Sequence, residues 1–339
     1  GMPVILSHSS ALELLRAVPP QVRMYPHVAE PLRLADISTD SRELRSLDVR
    51  SFGIRRDPVH VLVSRSAREI QSSGVKTHHF GLAVMPGGLL LELSPGVYAA
   101  GPELCFIQMA RKSSLVGAVV LGCELCGRYS HFSEMVSGYY ERPPLTSVEK
   151  IGEAVSALPG LYGVSRAREA LRWVRDGARS PMETALSAEL FLPGWHKGLA
   201  FVRPELNYEV PLDEAAAIIT GTKSCSIDVA WPGVRRGVEY DSLEFHLDSE
   251  KDLRRKEALE HMGWTINTIK LDQMADHAAL MRAVALFEGA VPRQPGGPAS
   301  EEEVAELHQR LLRATRCGMG LERALFGVPV SHDAVRVHV

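Results

Sequence analysis

An α/β protein is predicted: a C-terminal αβββαβ core with a mixed central sheet, preceded by a separate mixed α/β domain. Three observations predict it. Strand-like alternation and capped helical stretches are interleaved along the chain. The order helix, three strands, helix, strand is written between Ser180 and Leu271. At 339 residues the chain can also bury two cores.

The elements follow in order. Ser10-Ala11-Leu12-Glu13 has the capping-box pattern and opens a short helix through Arg16, after which Pro19, Pro20 and Pro26 interrupt the chain. Val59–Val63 alternates as a strand, and Leu89–Leu93 and Gly96–Ala100 form two more, with Gly87-Gly88 and Ser94-Pro95-Gly96 as turns. Leu115–Leu125 is a strongly apolar run, more a buried helix than a strand on its length. Residues 1–147 therefore form the first domain and 148–291 the second. Helical stretches at Val148–Ala157 and Ser165–Arg175 open the second. Ser180-Pro181-Met182-Glu183 then starts a helix with Ser as N-cap and Pro at its first position.

Strands follow near Ala200–Val202 and Asn207–Pro211, and then a hairpin made of Ser226–Trp231 and Arg235–Asp241. A helix from Ser249 to Met262 ends at Gly263, and Trp264–Leu271 is the last strand. Residues 292–339 hold a Pro/Gly linker and an amphipathic helix. Its apolar stripe, Val304, Leu307, Leu311 and Leu312, is expected to pack at home.

Composition limits the function. With 45% hydrophobic and 23% charged residues and a net charge of −3, nothing overall demands a nucleic-acid partner, so a DNA-binding face would be local. Arginines gather between Arg42 and Arg68 and between Arg166 and Arg179, but acidic residues dilute both groups, as on solvated faces. Five cysteines, an odd count, point to a reducing compartment. No apolar run approaches the ~20 residues of a membrane span. Met2–Leu6 lacks the basic and cleavage regions of a signal peptide, and a cytoplasmic location is expected. Cys123 and Cys126 form a lone Cys-x-x-Cys in apolar surroundings and read as buried thiols.

The hairpin carries the chemistry. With Gly233 and Val234 as the central residues of a type II′ turn, Asp228 lies across the ladder from Glu239, and Asp241 shares the face of Glu239. Like charges facing each other destabilise a sheet. A divalent cation would relieve them, and Mg²⁺, which keeps several waters, needs only two or three carboxylates. His246 follows shortly after. An imidazole suits proton transfer at neutral pH, which makes His246 a candidate general base. Glu183 is both the third residue after a Ser N-cap and a candidate site acid. Asp252 and Arg255 have the spacing of a helix-surface ion pair, although Arg255 could also reach a DNA phosphate. The plain alternative is a solvated strand face with ordinary surface carboxylates.

The helix start Ser180–Thr184, Pro204-Glu205-Leu206-Asn207, Asp228, Glu239-Tyr240-Asp241, His246, Asp252, Arg255, Gly263 and Trp264 occur in an order that resembles the PD-(D/E)XK nuclease superfamily. The narrower likeness is to its very-short-patch-repair-endonuclease-like branch. The resemblance implies a restriction-endonuclease-like core that cuts DNA phosphodiesters with Mg²⁺ or Mn²⁺, in bacterial DNA repair or phage defence. It implies metal ligands at Asp228, Glu239 and Asp241, a general base at His246, and an acidic residue of the first core helix at Glu183. Asp241 stands where the superfamily has Lys, and Ser242 where the branch has Gly. Arg255, Arg235 and Arg236 are the candidate DNA contacts. Ser9–Leu12, Val59–Val63 and Leu121–Tyr129 resemble the C-terminal region of AbiEi-type abortive-infection antitoxins, which implies a partner protein in a defence or toxin–antitoxin system. A nuclease-fold module that binds DNA or regulates defence without cleaving is the alternative.

Overall fold

The computed structural model describes residues 2–17, 25–38, 40–67, 71–72, 74–132, 135, 137–241 and 249–315. It is an α/β molecule with more than one core. The first part runs β1 (Val4–Leu6), α1 (His8–Leu15), β2 (Leu32–Arg33), α2 (Ser41–Ser46), β3 (Val59–Ser64), β4 (Gln71–Ser72), β5 (Val75–Phe80), β6 (Val84–Met85), β7 (Leu90–Ser94), β8 (Val97–Ala100), α3 (Pro102–Lys112) and α4 (Leu115–Leu125). The hairpin β9 (Tyr129–His131) and β10 (Tyr139–Glu141) and the helices α5 (Val148–Ala157) and α6 (Val164–Leu171) follow.

Six of these strands form one sheet in the order β4-β5-β3-β1-β8-β7. β1 pairs antiparallel to β3 and parallel to β8, so both its edges are taken, and all its residues are buried. The helix expected with Ser10 as N-cap begins three residues earlier, with Ser7 as N-cap. The Ser10 hydroxyl is used elsewhere: it accepts a hydrogen bond from the His60 N–H at 2.9 Å.

The helices that follow residue 147 pack on the first core. Ile151 and Val155 of α5, Val164, Ala167 and Ala170 of α6, and Val174 all belong to the first core. The apolar faces of both helices lie on α3, and α6 also lies on α4. α4 serves two cores at once. Ala118, Val119, Leu121, Cys123 and Leu125 face the first, and Val116 and Val120 face the second. That is why its run is apolar on both sides, with Glu124 buried and paired to Arg16.

The second part runs α7 (Pro181–Phe191), β11 (Glu205–Pro211), α8 (Glu214–Thr220), β12 (Ser224–Trp231), β13 (Arg236–Asp241), α9 (Ser249–His261), β14 (Thr265–Lys270), α10 (Leu271–Ala275), α11 (His277–Ala285) and α12 (Glu301–Ala314). Four strands make a mixed sheet in the order β11-β12-β13-β14. The first three are antiparallel neighbours, and β14 joins parallel to β13 after the α9 crossover. Apart from the short α8, this is the expected order. The expected strand at 200–202 is reduced to one bridge, Phe201 to Arg293. α12 packs on α7 and α4 through Val304, Leu307, Leu311 and Leu312, all buried in the second core. No helix among the described residues is long and apolar enough to cross a membrane.

Candidate functional site

The β12–β13 hairpin closes differently from the expected two-residue turn. Pro232–Val234 forms a single 3₁₀ turn, and Arg235 takes the left-handed conformation at φ 50°. Pro232, with φ fixed and no N–H, suits the first position of such a turn, and Gly233 is not the positive-φ residue. The register survives the change of turn. Trp231 pairs with Arg236, Ala230 with Gly237 and Val229 with Val238. The paired ladder ends there, and Asp228 and Glu239 are the next residues on the two strands. There the carboxylate enters the ladder itself: Asp228 Oδ2 accepts from the Tyr240 N–H at 2.9 Å.

Glu183 approaches from α7 and is buried. Ser180 caps the helix, its Oγ accepting from the Glu183 N–H at 3.1 Å. The Glu183 carboxylate is held from several sides: the Arg179 N–H donates to Oε2 at 2.9 Å, Asn207 Nδ2 donates to Oε2 at 2.7 Å and Ser180 Oγ donates to Oε1 at 3.1 Å. It thus completes the Ser180 cap and also binds Asn207 of β11. Asn207 sits in the middle of β11 with φ +48°, between Leu206 and Tyr208, which pair regularly with β12. A non-glycine residue held there is strained. Its Nδ2 also donates to the Gly177 carbonyl at 2.9 Å, and its Oδ1 is buried with no hydrogen-bond partner among the described residues.

Electrostatics tie these groups together. Burial, the charge of Glu183 and the charge of Glu239 push the Asp228 carboxyl up to about 7, against the pull of the Tyr240 N–H and Arg255. Burial also raises Glu183, although its hydrogen bonds from Arg179, Asn207 and Ser180 oppose the shift. Glu239 has a cation of its own. Arg255 forks onto it, Nη1 to Oε2 at 2.8 Å and Nη2 to Oε1, and Nη2 also donates to the Ser226 carbonyl. Arg255 is therefore paired across to the sheet and not with Asp252 on its own helix.

The remaining expected residues are placed as follows. Asp241 ends β13, half-buried, with its backbone opposite Lys270 of β14. Asp228, Glu239 and Asp241 do not come within 4.8 Å of one another as a set; among the described residues, the grouping that does is Glu189, His277 and His308. Arg235 lies against the end of α9, with Nη1 3.4 Å from the Met262 carbonyl. Arg236 pairs through its backbone with Trp231 and Thr265. His246 and Ser242 lie outside the described residues.

Asn207 entered the sequence reading only within the motif. A lone Asn in a strand pattern is its single signal, since Asn tolerates positive φ better than most residues. Cys123 and Cys126 are buried free thiols. Burial pushes Cys123 up to about 11 and Cys126 well above the usual thiol range, so neither is poised as a nucleophile or ligand.

No family model matches the chain, and no solved structure matches it. Two uncharacterised proteins of Mycobacterium tuberculosis, from strains CDC 1551 / Oshkosh and ATCC 25618 / H37Rv, are each 33% identical to it over 128 residues. The matched segment is 37% of this chain and 42% of each relative, so the chain spans less than half the length of these relatives.

Proposed function

We propose that the second part of the chain is a divalent-cation-dependent endonuclease of the very-short-patch-repair-like type, hydrolysing DNA phosphodiesters. One arrangement carries this reading: buried Asp228, fixed by the Tyr240 N–H, lies near the carboxylates of Glu183 and Glu239, and burial together with those charges raises its carboxyl to about 7. Buried like charges raise the free energy of the folded state unless a cation sits with them. The donor set suits Mg²⁺ or Mn²⁺, because every donor is a hard oxygen and the Asn207 Oδ1 is buried without a partner among the described residues. Asp228 and Glu239 would hold the ion, with Glu183, Asp241 and Asn207 at hand for its waters. When bound, such an ion supplies positive charge to the scissile phosphate and makes water a stronger acid.

The chain's own groups do the rest. The Tyr240 N–H fixes the rotamer of Asp228. Arg255 fixes Glu239 and brings positive charge to a site whose carboxylates repel a phosphate. His246 is the general base that the resemblance implies. DNA is the partner on this reading, with a role in bacterial DNA repair or phage defence inside the cytoplasm. The resemblance of the first part to abortive-infection antitoxins adds a partner protein from such a system.

The Glu239–Arg255 pair also favours a second reading, a nuclease-fold module that binds DNA or regulates defence without cutting. Arg255 gives Glu239 a counter-charge that needs no metal. A plasmid-nicking assay with Mg²⁺ or Mn²⁺ separates the two. Cleavage by the wild type that falls by roughly 100-fold or more in Asp228→Ala supports the enzyme. Salt-sensitive DNA binding that persists in Glu239→Ala, with no cleavage by either form, would establish the module instead.

A further inference from the structure

Away from the Asp228 site, three helices of the second part bring together Glu189 of α7, His277 at the start of α11 and His308 of α12. The side chains of Glu189 and His308 are 1% and 0% exposed, and that of His277 is 15% exposed. His308 Nδ1 lies 2.7 Å from Glu189 Oε2, and His277 Nδ1 lies 3.7 Å from Glu189 Oε1. One ligand atom from each residue falls within 4.8 Å of the other two. A protonated His308 paired with Glu189 accounts for only part of this cluster. Glu189 Oε1 and both ring nitrogens of His277 are buried with no hydrogen-bond partner among the described residues, whereas His308 also bonds the Met274 backbone. Leaving that many polar atoms unmet is costly.

We propose that Glu189, His277 and His308 form a metal site for a borderline divalent cation of the zinc class, which fastens α11 and α12 to α7. Two imidazoles and one carboxylate are a donor set for zinc and its neighbours, not for the all-oxygen preference of Mg²⁺. Zinc bound at about 2.0–2.2 Å in a tetrahedron holds its ligand atoms roughly 3.4 Å apart. The His277–Glu189 separation of 3.7 Å is already close to that. The shorter His308–Glu189 contact opens as the cation takes the place of the proton between them, and that proton leaves to solvent. The fourth position belongs to a water on the side of His277, the least buried of the three. Although Glu189 shares α7 with Glu183, this site does not depend on the nuclease reading.

The test uses the full chain without a histidine tag, dialysed against metal-free buffer. Zinc content by elemental analysis and the visible spectrum after Co²⁺ addition are then read. The expected result is one tightly held zinc per chain and a tetrahedral Co²⁺ spectrum. His277→Gln, at the rim of the cluster, should keep the circular dichroism of the wild type and bind zinc roughly tenfold more weakly or worse. Asp228→Asn should keep full zinc content, as should His78→Gln, whose ring stacks with His8 and His60 in the first part of the chain. Wild-type protein without zinc or a Co²⁺ spectrum overturns the proposal. So does unchanged affinity in His277→Gln, or loss of the ion in Asp228→Asn or His78→Gln.

Discussion

Asp228 sets the sign of the site's pH behaviour. Its folded-state carboxyl is raised to about 7, above the ordinary value of 3.8, so the folded protein binds the extra proton between those limits. The stability this group contributes is present in acid and is lost as pH rises toward 7, by at most about 1.4 kcal/mol per pH unit. Asp228→Asn removes the repelled charge. In metal-free buffer above pH 7 the variant should therefore melt higher than the wild type and, on the proposed function, lose cleavage; urea titrations at pH 5 and 7.5 would show a larger advantage at the higher pH. Equal stability of the two proteins at both pH values would contradict this electrostatic picture. Asn207 gives a second expectation. Asn207→Ala keeps the strained φ but loses the bonds to Glu183 and Gly177, and should cost roughly 2–3 kcal/mol in denaturant unfolding.

At the scale of elements, the β12–β13 hairpin shows what the sequence could and could not reveal. The two-residue turn assumed for Gly233-Val234 gives the same pairing sum as the observed 3₁₀ turn, so the expected register of Trp231 with Arg236 holds although the turn differs. The turn itself was not legible: Arg235 takes the left-handed position, although Gly233 is the residue that favours one. Ser180 and Glu183 were legible as a cap, but the bond from Asn207, 24 positions on, was not. The helix α8 was missed because only Ala216 of its residues is buried, which leaves little amphipathic pattern. The Glu189–His277–His308 cluster had one faint signal, a histidine within the apolar stripe of α12. Gly237 provides a test of the sheet. A Cβ there would lie 2.6 Å from Ile227 Cγ2 and 2.7 Å from Ile266 Cδ1. Gly237→Ala should therefore destabilise by about 1–3 kcal/mol, read as a lower denaturant midpoint.

Over the whole molecule, α4 couples the two main cores, since its residues are divided between them. Calorimetry should show one unfolding transition; two well-separated transitions would mean that the cores are independent. Acid should weaken the first part. Burial lowers His8 to about 2, His78 to about 3 and His60 to about 4, helped by the positive charge of Lys112, with His78 ahead of Lys112 for His8. Stability from these neutral rings is present above pH 6.5 and is lost as pH falls below it, because the unfolded chain takes up the protons. For buried His8 the loss is on the order of 2 kcal/mol by pH 5, and His8→Gln should flatten the acid limb of a stability–pH curve.

The central claim is that Asp228 and its neighbouring carboxylates hold a divalent cation, and calorimetric titration of the wild type and Asp228→Asn with Mn²⁺ at pH 7.5 tests it most directly. The expected result is saturable binding by the wild type with release of part of a proton, and binding too weak to measure in the variant. Equal Mn²⁺ affinity in the two proteins would contradict it.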